Sequence, residues 1–145
     1  MPGRNFSHHS ISPVSVEQAW RALQKPETWG RIGGVNRIEH ATFDHESNLT
    51  GYRFVVDIAG TAYRGTAVRG NWDPPHRMAM AIESEQLTGQ INVKVSTTPS
   101  GTEVKVEMAM EPVGILGSMV FPVLTNAVAK GFPEAVERFV TDLAS

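Results

Sequence analysis

The sequence predicts an α+β domain in which one strand and two short helices precede six antiparallel strands and one long C-terminal helix. Apolar residues recur at helical spacing between positions 16 and 23 and again after Pro112. Between these segments the apolar period is two for most of about eighty residues, which is typical of strands. The turns between consecutive strands are short, so neighbouring strands are expected to pair antiparallel.

The N-terminal segment predicts a strand and two short helices. Residues 6–12 alternate loosely and end at Pro13, which indicates a strand. Ser12 and Ser15 then offer two hydroxyl caps for a helix. Its apolar face comprises Val16, Ala19, Trp20 and Leu23. Pro26 ends this helix near residue 24, and residues 27–31 form a second short helical turn. We interpret Trp20 and Trp29 as packing residues between these helices and the sheet.

The six later strands are predicted at 35–44, 51–58, 62–72, 78–84, 90–98 and 102–111. Turn-forming residues separate them, among them the Asp-Pro-Pro at 73–75 and the Pro-Ser-Gly at 99–101. In the last two strands, valine, isoleucine and methionine alternate with lysine, glutamate and asparagine. The alternation predicts a sheet with one solvated face and one buried face.

The final segment predicts a long amphipathic helix. Its expected apolar face comprises Leu116, Met119, Val120, Val123, Leu124, Ala127, Val128, Ala135, Val136, Phe139, Val140 and Leu143. The solvated side is marked by Asn126, Lys130, Glu134, Glu137 and Thr141. Pro133 lacks the amide that would bond to the carbonyl of residue 129, and Gly131 is close by, so a kink or break is expected there.

Composition narrows the classes of function. The 145 residues predict a single domain, 1–145, and 13 Lys and Arg against 15 Asp and Glu leave no basic surface for nucleic acid. No apolar stretch approaches the roughly 20 residues of a membrane span. Without a signal-like apolar segment at the N-terminus we expect a cytoplasmic protein, and a homodimer remains possible. The absence of cysteine excludes disulfides, thiolate metal sites and cysteine nucleophiles.

Motifs for metals, phosphates and hydrolytic triads are missing from the sequence. His40 and Asp44 share one strand face but lie about 13 Å apart at the normal strand rise. Neither glycine-rich stretch, 30–34 or 65–70, joins a strand to a helix with the spacing of a phosphate loop. No Gly-x-Ser-x-Gly elbow is present. We therefore expect no metal and no cofactor.

The strand at 62–72 contains several polar and aromatic side chains, but the sequence does not decide which of them face inward. Tyr63 and Arg69 share one parity, whereas Arg64 and Trp72 share the other. If the Tyr63 set faces inward, a phenol and a guanidinium could orient a carbonyl or carboxylate ligand. If the other set does, Trp72 offers a stacking surface instead.

Four short motifs then carry a family resemblance across nearly the whole chain. They are SPVSVEQAW at 12–20, KPETW at 25–29, DPPHR at 73–77 and GTEV at 101–104. Together with the order of elements, they resemble the START-like, pollen-allergen-like superfamily known as SRPBCC, especially its polyketide cyclase/dehydrase-like branch. The resemblance implies a helix-grip fold, in which a seven-stranded antiparallel sheet wraps around the long C-terminal helix, with two short helices after the first strand.

That fold implies a cavity between the sheet and the final helix. An empty apolar void of about 300 Å³ would cost about 7 kcal/mol, so the space must be partly collapsed, hydrated or filled by a ligand. Methionine side chains adapt to ligands of varied shape. The predicted ligand-binding residues are Phe54, Val56, Tyr63, Trp72, Met78, Met80, Met108, Met110, Met119 and Val123.

Three functions follow from the resemblance. The leading prediction is binding, transport or sequestration of a small hydrophobic molecule such as a lipid or a polyketide-like aromatic compound. The enzymatic alternative is a polyketide cyclase or dehydratase, for which Tyr63, Arg69 and His40 are the candidate catalytic residues. The third is a protein-interaction module that resembles the Hsp90-activator-like members of the superfamily.

Overall fold

The computed structural model describes residues 3–144 and confirms the predicted order of elements. The elements are β1 (Arg4–Ser12), α1 (Val16–Ala22), α2 (Pro26–Gly33), β2 (Arg37–Phe43), β3 (Leu49–Ile58), β4 (Thr61–Asp73), β5 (Arg77–Ser84), β6 (Leu87–Thr98), β7 (Gly101–Pro112) and α3 (Gly114–Leu143).

The seven strands form one antiparallel sheet in the order β1-β7-β6-β5-β4-β3-β2. Strands β2 to β7 are neighbours in chain order, as short turns require. The first strand closes the far edge by pairing with the last, from Arg4 opposite Met110 to Ser12 opposite Thr102. One face of this sheet packs against α3, so the architecture is the helix-grip fold.

The two short helices follow from local chemistry. The backbone N–H of Gln18 donates to the Ser15 hydroxyl at 3.2 Å, which caps the start of α1. Pro26 occupies the first turn of α2, and Gly34 ends that helix with a φ of 69°, which glycine adopts at little cost. All four apolar residues predicted for the first helix are buried. Trp29 is fully buried, and its indole N–H donates to the Leu23 carbonyl at 2.7 Å.

The buried face of β6 and β7 confirms the predicted alternation. Four valines, Val93, Val95, Val104 and Val106, have no exposed surface. Lysines and glutamates at the intervening positions point to the other face. A sheet with one dry face results, and α1, α2 and α3 cover that face.

Helix α3 continues for 30 residues through Pro122 and Pro133 without the break that the sequence suggested at Pro133. Pro133 lies on the exposed side, whereas Phe132 and Val136 are buried on either side of it. Packing on the inner side therefore holds the axis together, and water can reach the carbonyl that lacks a partner.

The first half of α3 presents a different face from the one predicted. Gly117, Phe121, Leu124 and Thr125 are buried. Exposed instead are Ile115, Leu116, Met119 and Val123, with Leu116 at 78% and Met119 at 70%. Residues 112–129 carry no charge, so the sequence does not mark which side faces water. The helix is thus rotated relative to the predicted orientation, and the prediction that Met119 and Val123 face inward was wrong.

Small residues explain the rotation. A Cβ at Gly117 would collide with the carbonyl of Gln86, so the glycine lets α3 rest directly on the turn between β5 and β6. Further along, the Arg4 guanidinium of β1 donates to Thr125 at 3.1 Å and to Asn126 at 2.7 Å. Close backbone approach and these polar bonds orient the helix more strongly than its apolar pattern does.

By length and composition alone α3 could also cross a membrane, with a mean hydropathy of 1.4 over its most apolar window. Its inner side, however, supplies Phe121, Phe132, Val136 and Phe139 to the core. The helix is accordingly one layer of the fold.

Candidate ligand-binding cavity

A cavity of about 80 Å³ lies between the sheet and the helices, near the end of the sheet that holds β3 and β4. The described residues that surround it are mostly apolar. They are Trp29, Gly33, Val35, Tyr52, Phe54, Val56, Tyr63, Arg64, Ile82, Ser84, Gln86, Leu87, Gln90, Ile91, Met108, Met110, Leu124 and Val128. The predicted cavity is therefore present, and it is much smaller than the 300 Å³ considered from the sequence.

Alternate side chains of β3 form one wall of the cavity. Tyr52, Phe54 and Val56 share the inner face of β3, and Val56 is paired with Tyr63 of β4. Opposite Phe54 is Gly65, where an added Cβ would collide with the Phe54 ring. Glycine at this position lets the ring lie flat across β4.

Methionines from β7 form the opposite wall. Met108 and Met110 are buried, and Met108 is paired with Ile91 of β6. Met110 is paired with Gly89, where an added Cβ would lie only 3.1 Å from the Met110 Cγ. The missing side chain gives Met110 its space beside the cavity. The predicted positions Phe54, Val56, Tyr63, Met108 and Met110 all border it.

The other predicted methionines lie elsewhere. Met78 and Met80 are fully buried but do not border the cavity. The side-chain amide of Gln24, just after α1, contacts the Met78 sulfur at 3.6 Å. Met119 and Val123 face solvent, for the reason given above. These four of the ten predicted ligand-binding residues therefore do not border the cavity.

A β-bulge settles the facing of the strand at 62–72. The pairing of β4 with β5 shifts register between Arg69 and Trp72. Tyr63 and Arg69 face inward as one alternative proposed, and the bulge brings Trp72 to the same side. Trp72 stacks on Trp20 with ring centroids 5.2 Å apart, and it does not border the cavity.

Arg69 is held by the protein itself. Its guanidinium donates to the Asp44 carboxylate at 3.2 Å and to the Leu49 carbonyl at 3.3 Å, and lies 3.9 Å from the centre of the Trp72 ring. The backbone N–H of Asn48, with a smaller contribution from Arg69, holds the pKa of Asp44 below its usual range. The predicted partnership of Arg69 with Tyr63 around a ligand is absent from this structure.

His40 lies outside the cavity. It is exposed at an irregularity of β2 between Glu39 and Thr42, where its φ is 49°. Of the three candidate catalytic residues, only Tyr63 borders the cavity. Nor does any carboxylate or imidazole among residues 3–144 border it.

The polar group that sequence reasoning missed is Tyr52. Its side chain is only 5% exposed, borders the cavity and packs edge-on against Phe54 at 6.4 Å between ring centroids. Its hydroxyl makes no hydrogen bond to any residue in the range 3–144, and the hydroxyl oxygen keeps some accessible surface. Burial raises the pKa of Tyr52, so the phenol stays protonated. Tyr52 lies two residues before Phe54 and four before Val56, so strand alternation alone could have placed it on the same inner face.

Two other polar residues of the lining have partners within the protein, whereas the uncharged Tyr63, Gln86 and Gln90 also border the cavity. Arg64 reaches Glu39 at 3.5 Å across the outer face of the sheet, and the Ser84 hydroxyl donates to the Leu87 carbonyl at 3.2 Å. Within residues 3–144 no three His, Asp or Glu side chains come together as a metal site. The site can thus surround an apolar body and offer it few hydrogen bonds.

Solved structures share this fold at low sequence identity. TTHA0849 from Thermus thermophilus matches with a TM-score of 0.71 and 15% identity, covering 98% of this chain and 100% of that one. The Zhui aromatase/cyclase from Streptomyces sp. R1128 matches with a TM-score of 0.70 and 12% identity, covering 97% and 93%. A START superfamily protein from Mycobacterium smegmatis matches at 0.59 and 12%, covering 92% and 97%.

Comparison with curated proteins finds no match. The family model, by contrast, spans almost the whole sequence, residues 4–145. The chain therefore belongs to the family described as polyketide cyclase / dehydrase and lipid transport.

Proposed function

We propose that the protein binds a small hydrophobic molecule, of the lipid or aromatic polyketide class, in the cavity between β3, β4, β7 and α3. The observation that carries this proposal is a mainly apolar cavity between the sheet and the helices, partly open to solvent and bordered by core side chains. An apolar ligand there would restore the contacts that the lining side chains lack. The family description, which names both polyketide chemistry and lipid transport, supports the same class of ligand.

The size of the cavity limits how a ligand is held. An engineered apolar cavity of about 150 Å³ accepts benzene, and pockets for drug-sized ligands measure about 300–1,000 Å³. At about 80 Å³ the cavity is smaller than either. A ligand must therefore enlarge it by moving part of the wall.

The first half of α3 is the part of the wall that we expect to move. Leu124 and Val128 border the cavity from this half, whereas Ile115, Leu116 and Met119 make no contribution to the core. Outward displacement of the turns before Phe121 exposes no large core side chain, whereas Phe121 and Leu124 are buried and would have to shift with the wall. The rest of α3 packs against β1 and α2, so it provides a fixed base for the movement.

Methionine methyl groups provide a direct test. In protein labelled with [methyl-13C]methionine, titration with acetophenone, 1-naphthol and monoolein should shift the resonances of Met108 and Met110, which border the cavity. Met78, which is fully buried and does not border the cavity, is the internal control. Unchanged Met108 and Met110 signals across the whole panel would contradict the proposal.

The enzymatic alternative has one supporting observation, which is that Tyr63 borders the cavity while Zhui, a protein of similar fold, is an aromatase/cyclase. It lacks an acid–base pair, because His40 is outside and Arg69 is bound to Asp44. Turnover of a poly-β-ketone substrate, lost in Tyr63→Phe, would favour catalysis over binding.

Other expectations stay predictions. A stoichiometric protein partner in a pull-down would favour the interaction module, and light scattering would test the homodimer. Cell fractionation would test the cytoplasmic location.

A further inference from the structure

Tyr52 carries an unused hydrogen-bonding group inside an apolar enclosure. The side chain is 95% buried, since only 5% of it is exposed, and the hydroxyl has no partner within residues 3–144. Most buried tyrosine hydroxyls find a partner, because an unpaired one loses its bonds to water without replacement. Because the hydroxyl oxygen of Tyr52 keeps some accessible surface, water can reach it in the empty protein, and a ligand that displaces this water must replace its hydrogen bond.

The surroundings of Tyr52 explain why the protein supplies no partner. Its partner on β4 is Ala67 and its ring packs against Phe54 of β3, and both of these residues are apolar. By contrast, the buried Thr125 hydroxyl on α3 donates to the Phe121 carbonyl at 2.9 Å. The same core therefore satisfies the hydroxyl of Thr125 internally and leaves that of Tyr52, whose side chain borders the cavity, without a partner in the described range 3–144.

The lack of an inward-facing charge in the described part of the lining limits which ligand group can hydrogen-bond to Tyr52. Arg64, the single charged residue of the lining within the described range 3–144, is exposed and lies beside Glu39 on the outer face. A ligand carboxylate in the cavity would lose its hydration and gain only neutral hydrogen bonds, from Tyr52 and from the uncharged Tyr63, Gln86 and Gln90 of the lining. A carbonyl or hydroxyl oxygen loses far less on transfer, and it accepts the phenol proton in a direct hydrogen bond.

We propose that Tyr52 is the polar anchor of the cavity and that the ligand is a neutral molecule with an apolar body and one carbonyl or hydroxyl oxygen. This inference rests on the proposed function and deepens it. In this arrangement the oxygen at the buried end of the ligand accepts a hydrogen bond from the Tyr52 hydroxyl. Long or multi-ring bodies then extend away from it beneath the first half of α3.

Three ligands of similar shape test the inference by calorimetric titration of wild type and Tyr52→Phe. Acetophenone carries a carbonyl, toluene carries no hydrogen-bonding group, and benzoate carries a charge. Wild type should bind acetophenone about 3- to 10-fold more tightly than toluene, and benzoate weakest of all. In Tyr52→Phe the preference for acetophenone over toluene should vanish, while toluene binds as well as before.

A stability measurement checks the premise separately. Tyr52→Phe removes a hydroxyl without a partner, so its Tm without ligand should equal or exceed that of wild type. Thr125→Val is the matched control, because it removes a buried hydroxyl that is hydrogen-bonded. Its Tm should fall by about 3–6 °C. A comparable fall in Tyr52→Phe would overturn the premise.

The outcomes separate the two proposals. Binding of toluene and acetophenone with equal affinity, unchanged in Tyr52→Phe, would overturn the anchor and leave the binding function in place. Benzoate binding as tightly as acetophenone would also overturn it. Failure of all three ligands, together with an unresponsive cavity in the methionine titration, would overturn the binding function itself.

Discussion

The two halves of α3 have different relations to the sheet. In the second half, Phe132, Val136, Phe139 and Val140 are buried on one side, and charged residues such as Lys130 and Glu134 face water. In the first half no residue is charged, several large apolar side chains are exposed, and the inner side borders a cavity. One helix thus serves as a core element at its end and as a cavity wall at its beginning.

Polar bonds reinforce this difference. Near the C-terminal end, Glu137 accepts hydrogen bonds from His8 at 2.7 Å and Ser10 at 3.0 Å, and Arg31 of α2 lies 3.7 Å from Asp142. The turns before residue 121 have no side-chain bond to the sheet among the residues described. Side-chain attachment to the sheet therefore extends from Thr125 and Asn126, which Arg4 bonds, toward the C-terminal end, and among the described residues it is missing from the turns before residue 121.

The largest expected effect is the loss of Phe139. Phe139→Ala should lower the free energy of unfolding by about 3–5 kcal/mol, because the ring is buried where the second half of α3 packs. Urea denaturation followed by circular dichroism measures it. A loss below about 1.5 kcal/mol would show that this half is not solidly packed.

A smaller effect is expected at Leu124 in the first half. Leu124→Ala should cost about 2 kcal/mol, near the low end for buried leucines, because one side of Leu124 already faces the cavity. The enlarged cavity should also bind 1-naphthol more tightly, as calorimetry would show. Val136→Ala, a deletion away from the cavity, is the control and should leave the affinity unchanged. An equal gain in both variants would refute the difference between the halves.

The polar attachment of the second half predicts a dependence on pH. Hydrogen bonds from His8, and then from Ser10, lower the pKa of Glu137. A carboxyl group whose pKa is lowered by folding stabilises the fold above its unfolded pKa, and this contribution is lost as pH falls through the lower folded value. Glu137→Gln should therefore be less stable than wild type at neutral pH and approach it below about pH 4.

Thermal melts at several pH values measure this convergence. Glu134→Gln, at another exposed position on the same helix, is the matched control and should stay parallel to wild type. Parallel curves for Glu137→Gln would mean that the bonds to His8 and Ser10 do not stabilise the fold.

The smallest effect is expected at Met119. Met119→Gln should change the free energy of unfolding by less than about 0.5 kcal/mol, because 70% of the side chain is already exposed. Met78→Gln is the contrasting variant, since it introduces an amide at a fully buried position and should be strongly destabilising. A large loss in Met119→Gln, measured by urea denaturation, would mean that the first half of α3 turns this face inward in solution.

Strand parity predicted which residues face inward but not which of them border the cavity, because Met78 and Met80 also face inward and do not border it. Met108 and Met110 alternate with alanine and glutamate, and Phe54 and Val56 alternate with charged or apolar residues on the other face of β3. Tyr52 belongs to that same alternation but was not selected, because a tyrosine near a strand end gave no sign that it would be buried. Its missing hydrogen bond is visible only when all its neighbours are in place.

The order of elements, the antiparallel pairing and the solvated side of the second half of α3 were determined by the sequence, because periodicity and charge act through local chemistry. The tertiary structure decided the rotation of the first half of α3, the inward turn of Trp72 and the small size of the cavity. An uncharged helix has no local reason to prefer one face. Contacts distant in sequence, such as Gly117 on Gln86 and Arg4 on Thr125, set its orientation.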